Sequence, residues 1–178
     1  MTKRTQIVIL CEDKQQAVFA RKYLEARGIH RRRITPRVCP SGKQAGEQFV
    51  REKFAEEVKT LRRKQREDRA LVVIIDADVQ AVTNRVEQLE RCLIDAQQTR
   101  RDNNERIAIF VPKRNIETWI AFAGGEVVDE VNTFPKLSEE SECVPLAQHL
   151  ARNICPYALP EDAPPSLRHA CIELRRIL

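Results

Sequence analysis

The stretch Leu71-Val72-Val73-Ile74-Ile75-Asp76-Ala77-Asp78 decides the fold, because five aliphatic residues in a row end at two carboxylates. A run without alternation of apolar and polar residues is typical of a strand that is buried on both faces, as in a parallel sheet. In open α/β sheets, functional sites form at the carboxyl ends of such strands. The stretch therefore predicts an α/β protein and marks Asp76 and Asp78 as candidate site residues.

The sequence from Gln6 to Ala123 alternates between strand and helix patterns. Strand-like runs are Gln6–Cys11, Ile34–Cys39 and Ile107–Val111, and helical spacing of apolar residues marks Gln15–Arg27, Phe49–Leu61, Val82–Leu93 and Ile116–Ala123. The order βαβαβαβα predicts a Rossmann-like, mostly parallel four-stranded sheet with helices on both faces. Pro36 interrupts the second strand and places it near an edge of the sheet.

The composition changes after Gly124-Gly125, although the length of 178 residues fits one domain. We predict an α/β domain over residues 1–124 and a helical C-terminal extension over residues 125–178 that packs on it. Two short helices are expected in the extension, near Pro145–Ile154 and Ser166–Ile177.

Charge and cysteine usage limit the class of protein. The net charge is +5, but residues 125–178 carry five basic and nine acidic residues (−4), so residues 1–124 carry +9. This basic excess favours a nucleic-acid partner, or else it is a solvated charged surface. None of the six cysteines forms a CxxC pair, and the apolar run Ile7–Cys11 is too short for a signal peptide or a membrane span. We expect a cytoplasmic protein with reduced thiols and no membrane contact.

Carboxylates follow two of the predicted strands. Glu12 follows the first strand, and Asp76 and Asp78 follow the third. The three side chains can converge if these strands are neighbours, and a hard divalent cation such as Mg²⁺ or Mn²⁺ would remove their repulsion. The alternative is helix capping, by Asp78 for a helix from Val79 and by Glu12 or Asp13 for the helix from Gln15.

These residues resemble the Toprim fold of topoisomerases, primases, small ribonucleases and OLD (overcoming lysogenization defect) nucleases. That family places a Glu after its first strand and Asp-x-Asp after its third, as Glu12 and Asp76-Ala77-Asp78 do here, and Ser41-Gly42-Lys43 is similar to its glycine-bearing turn. The resemblance covers residues 5–123. It departs at Asp13, where the family usually has Gly, so Asp13 adds a ligand or the first loop differs.

The stretch Val111–Trp119 is similar to a segment of small Toprim proteins from mobile elements and phage-defence systems. In OLD-type nucleases a further acidic residue and a lysine support a two-metal site. Glu117 and Lys113 are the candidates for these two roles here. Trp119 is expected in the core rather than against a base.

The resemblance implies a Mg²⁺- or Mn²⁺-dependent nuclease whose catalytic residues are Glu12, Asp76, Asp78, Lys113 and Glu117. Lys14, Lys43 and Arg114 would contact substrate phosphates. The alternative is a non-catalytic subunit that binds nucleic acid or a partner ATPase, since the chain has no P-loop of its own. A homo-oligomer is compatible with either function, and DNA and RNA both stay open as substrates.

Overall fold

The computed structural model describes residues 4–64, 67–155 and 159–177. Four strands form one all-parallel sheet in the order β2-β1-β3-β4. The strands are β1 (Gln6–Cys11), β2 (Ile34–Val38), β3 (Arg69–Ile74) and β4 (Ile107–Phe110). The α-helices of the described residues are α1 (Lys14–Ala26), α2 (Gly46–Arg63), α3 (Val82–Asp95), α4 (Glu117–Ala123), α5 (Val144–His149) and α6 (Pro165–Leu174). The α/β class, the parallel sheet and the edge position of β2 are confirmed.

The helices pack on both faces of the sheet, also as predicted. One core cluster joins α1, α4, α5 and α6 to one face and includes Phe19 and Trp119. The other joins α2 and α3 to the opposite face and includes Phe54 and Leu89. The central strand β3 supplies side chains to both clusters, which explains its unbroken aliphatic run. No helix in the described ranges has both the length and the apolar character needed to cross a membrane.

The C-terminal extension contributes to the first core cluster. Leu150, Leu167 and Leu174 lie in the same cluster as the β1 residues Ile7 and Ile9. The predicted helix near Pro145–Ile154 consists of α5 followed by a π-helical turn, Leu150–Ile154, and the last helix ends at Leu174. The domain boundary at residue 124 stays a prediction.

The expectation of reduced thiols is wrong for two cysteines. Cys155, after the π-helical turn, and Cys171, in α6, form a disulfide with Cα atoms 5.6 Å apart. The packing of these two elements brings together thiols that are 16 residues apart in sequence, a spacing that carries no motif. Cys11, Cys39, Cys92 and Cys143 are free. The cellular compartment stays a prediction.

Candidate functional site

Glu12 and Asp76 meet where β1 and β3 end. The two strands are neighbours with Cys11 paired to Ile74, so Glu12 follows directly on one strand and Asp76 lies two residues beyond the other. One carboxylate oxygen of Glu12 accepts a hydrogen bond from the backbone amide of Asp76. The adjacency that the carboxylate hypothesis requires is therefore present for these two residues.

Gln16 links both carboxylate residues from α1. Its side chain is buried; its Nε2 donates to Asp76 Oδ1 at 3.0 Å and its Oε1 accepts from the Glu12 amide at 2.9 Å. Asp13 caps the helix, since its Oδ1 accepts from the Gln16 amide at 2.9 Å. The capping alternative is thus confirmed for Asp13, whose cap holds Gln16 at the site.

Asp78 lies further out than the other two carboxylates. Its side chain is 59% exposed, and its Oδ2 lies 3.3 Å from Arg85 Nη2. Its backbone is left-handed (φ 52°) and forms an isolated antiparallel bridge to Arg114, which is also left-handed (φ 69°). The alternative that Asp78 caps a helix from Val79 is wrong, because that backbone leads into a turn and α3 begins only at Val82.

Arg85 ties the end of β3 to two helices. Its residue is only 2% exposed, and its guanidinium donates to the carbonyl oxygen of Asp76 at 3.0 Å and to Glu47 Oε2 at 3.1 Å, besides Asp78. Arg85 was not among the site residues expected from the sequence. A signal existed, since Arg85 lies four residues before Leu89, on the apolar stripe of an amphipathic helix.

Glu117 opens α4 and is buried, with 4% of its surface exposed. Its Oε1 is buried without a hydrogen-bond partner among the described residues. Burial raises the pKa of its carboxyl group. An unpaired buried carboxylate oxygen is costly, and a proton, a cation or a water molecule would satisfy it.

The carboxylates disturb each other's ionisation. Burial, with contributions from the charges of Asp78 and Asp13, raises the pKa of Glu12 to about 7 despite the hydrogen bond from the Asp76 amide. Burial raises the pKa of Asp76 well above its usual range, and the charges of Glu12, Asp13, Glu117 and Asp78 add to the effect. The cluster therefore has an excess of negative charge, and this condition favours cation binding.

A cleft of about 410 Å³ opens beside this cluster. Glu12 and Glu117 line it on one side, and the loop after β2 and the segment 136–140 form the others. Lys14 also lines the cleft, whereas Lys43 is exposed on the loop after β2. Lys136, which the sequence analysis missed, lines the cleft with its Nζ 3.8 Å from Asp13 Oδ2.

Lys113 and Arg114 hold neighbouring loops in this structure. Lys113 Nζ donates to the carbonyl oxygens of Gln80 and, at 3.3 Å, of Val79. Arg114 Nη2 donates to Thr133 Oγ1 at 3.1 Å. Their roles towards a substrate phosphate stay predictions.

Gly46, the first residue of α2, allows that helix to approach Glu12. A Cβ atom at this position would lie 2.7 Å from Glu12 Cβ and 3.0 Å from the Glu12 carbonyl oxygen. The sequence analysis singled out Gly42 in this loop instead, whose Cβ would meet no atom within 4 Å. Gly46 therefore sets the position of the Glu12 backbone.

Across residues 4–64, 67–155 and 159–177, no group of three or more His, Cys, Asp or Glu side chains is arranged to hold a metal ion. The bonds of Glu12 to an amide and of Asp78 to Arg85 explain this, because each turns a carboxylate towards a protein donor. No protein family model, no characterised protein and no solved structure matches the chain.

Proposed function

We propose that this chain is a metal-dependent nuclease that hydrolyses nucleic-acid phosphodiesters. The observation that carries the proposal is the cluster of carboxylates at the ends of β1 and β3, which raise one another's pKa values beside a Glu117 oxygen that has no hydrogen-bond partner in the described part of the chain. The cation ligands are Glu12, Asp76, Asp78 and Glu117. An all-oxygen donor set fits Mg²⁺ or Mn²⁺.

Residues of the chain prepare the site for a cation. Gln16 fixes one oxygen of Asp76 and leaves the other to a ligand. A bound cation would be held by Glu12 and Asp78 in place of their bonds to the Asp76 amide and to Arg85, and Arg85 would keep its bonds to the Asp76 carbonyl oxygen and to Glu47. When bound, the cation supplies Lewis acidity towards a phosphate oxygen and lowers the pKa of a water molecule.

The basic side chains around the cluster receive the substrate. Lys113 offsets the charge that develops on the phosphate, and Arg114, Lys14 and Lys43 contact neighbouring phosphates. Proteins of the OLD type in phage defence would be the nearest functional counterparts, in keeping with the Toprim resemblance of residues 5–123.

A second candidate function is a non-catalytic subunit that binds nucleic acid or a partner ATPase. The pairing of Asp78 with the buried Arg85 favours it, because an arginine that replaces a metal ion would hold the loop permanently. In that case the carboxylates are structural and the chain binds no divalent cation.

Cleavage assays on the purified chain test the proposal. Labelled DNA and RNA are incubated with Mg²⁺, with Mn²⁺ or with EDTA, and we expect cleavage only with a cation. Asp76→Asn keeps the shape of the side chain but removes its charge, and it should abolish cleavage. Asp95→Asn, at an exposed position that ends α3, is the matched control and should cut like the wild type.

Calorimetry with Mn²⁺ separates the two functions. The nuclease proposal requires binding that Asp76→Asn weakens strongly and Asp95→Asn leaves unchanged. A chain that takes up no divalent cation favours the non-catalytic subunit. Cleavage that survives Asp76→Asn refutes the assignment of the site.

A further inference from the structure

The segment around β2 carries charge of one sign only. Residues 26–46 contain no Asp or Glu, and they contain six basic residues: Arg27, Arg31, Arg32, Arg33, Arg37 and Lys43. Such a run on a folded surface produces a positive field towards an anionic partner.

The fold presents part of this charge to solvent along one edge of the sheet. β2 pairs with β1 and is the first strand of the sheet order, so its other edge is open. Thr35 and Arg37 are exposed, because α2 packs over β1 and β3 rather than over the edge strand. Arg37 Nε lies 3.6 Å from Glu57 Oε1 of α2 and forms an ion pair with it, but the Arg37 side chain is 59% exposed.

A short 3₁₀ turn, Arg31–Arg33, adds charge at the start of the strand. The His30 side chain accepts a hydrogen bond from the Arg32 amide and fixes the turn, and Arg33 is bound to the Arg4 carbonyl oxygen. Arg31 and Arg32 are exposed, and their side chains form no ion pair within the described part of the chain. The turn therefore holds their backbone in place and leaves their charges free for a partner.

The other end of β2 leads into the carboxylate cleft. Val38, Cys39, Pro40, Ser41 and Gly42 line that cleft together with Glu12 and Glu117. At about 3.3 Å per residue, the five residues of β2 span roughly 15 Å, which matches the rise along the duplex axis of about four phosphates of one strand at ~3.4 Å each. A backbone that enters the cleft can thus run along the strand.

We propose that Arg31 and Arg32, in the turn before β2, and Arg37, on β2, hold the phosphate backbone of the nucleic acid whose phosphodiester lies in the cleft. The inference rests on the proposed function, since it takes nucleic acid as the ligand of the cleft. The competing explanation is that charges on an edge strand only prevent sheets from pairing edge to edge.

Binding assays in EDTA test this surface without cleavage. The variant Arg32→Gln with Arg37→Gln removes one charge from each end of β2. The control, Arg91→Gln with Arg175→Gln, removes two exposed charges from α3 and from the turn after α6, away from β2. The probes are fluorescent single-stranded DNA, duplex DNA and RNA, each titrated over a range of salt concentrations; comparing them identifies the preferred nucleic acid.

We expect the β2 variant to lose on the order of tenfold to a hundredfold in affinity at low salt. The slope of log K against log salt should become shallower by about two, since each phosphate contact in duplex DNA contributes ~0.9. The control variant should keep the affinity and slope of the wild type. Equal losses in both variants, or none in the β2 variant, overturn the inference, as does self-association of the β2 variant with unchanged binding.

The outcome is separable from that of the nuclease proposal. Binding in EDTA is read from the β2 variant and its control, whereas cleavage with a cation is read from Asp76→Asn. A chain that binds nucleic acid through β2 but never cuts it refutes the nuclease proposal and supports the proposal of a binding surface. A chain that cuts while the β2 variant binds normally refutes the binding surface alone.

Discussion

Single residues decide whether the ends of β1 and β3 form one site. Glu12, Asp76 and Asp78 could be selected from the sequence because strand ends carry sites and the residues are acidic. The residues that contact these carboxylates could not be selected from the sequence. Gln16, Gly46 and Arg85 come from three different helices and meet the carboxylates only through tertiary packing. The sequence shows which groups carry charge, but not which donor faces them.

Arg85 gives the first prediction at this scale. Arg85→Gln leaves the Asp76 carbonyl oxygen without its buried donor and removes one of the two arginines that bind Glu47, and we expect a loss of roughly 2–4 kcal/mol in the free energy of unfolding. Arg91→Gln changes the same residue type on the same helix at a side chain that is 71% exposed, and it should cost within about 0.5 kcal/mol. Urea titrations of both variants provide the measurement. Equal midpoints would mean that Arg85 does not hold the end of β3.

At the scale of elements, the strands could be located within one or two residues, because aliphatic runs have little alternative to burial. β3 was predicted over Leu71–Ile75 and spans Arg69–Ile74. The helix starts were also located within one residue, except that of α2. α2 begins at Gly46, three residues before its first predicted apolar position, and its first residue approaches Glu12 too closely to carry a side chain.

The attachment of α6 to the sheet gives a pH-dependent prediction. Glu173 is buried, and its carboxylate accepts from Arg101 at 2.6 Å and from the Ile109 amide of β4 at 2.8 Å. Burial alone would raise the pKa of Glu173, but Arg101, the amide and Arg176 outweigh it and lower the pKa. The ionised group therefore stabilises the fold above its unfolded pKa of about 4.5, and this stabilisation is lost as the pH falls through the lower folded value.

Glu173→Gln should accordingly reduce the free energy of unfolding by about 3 kcal/mol near neutral pH, since it breaks a buried ion pair. The difference from the wild type should shrink as the pH falls below about 4.5. Urea unfolding from pH 7 down to pH 3 measures it, with Glu161→Gln at an exposed position as the control. A difference that stays constant over this range would show that the pair with Arg101 does not control the attachment of α6.

At the scale of the whole molecule, the extension and the sheet share one core. Cys143, Leu150 and Leu167 belong to the same apolar cluster as Ile9 and Val72, so loosening the extension exposes side chains of the sheet as well. The sequence indicated an extension through its change of charge and its prolines. It could not indicate the Cys155–Cys171 bond, because a separation of 16 residues acquires meaning only after the two elements have packed.

That shared core makes the disulfide a stabiliser of the entire fold. In the loop-entropy model, closing a loop of this length contributes about 3 kcal/mol, and for a chain of this size the loss should lower Tm by roughly 10 °C. Under denaturing conditions, four of the six thiols should titrate before reduction and all six after it. Thermal unfolding followed by circular dichroism should show one transition that a reductant shifts downwards, because the extension does not melt separately from the sheet. The double variant Cys155→Ser with Cys171→Ser should unfold at the lower temperature with or without reductant. The control Cys92→Ser should keep the downward shift of Tm on reduction. Six reactive thiols in the untreated protein, or a separate early transition, would show that the disulfide does not stabilise the entire fold.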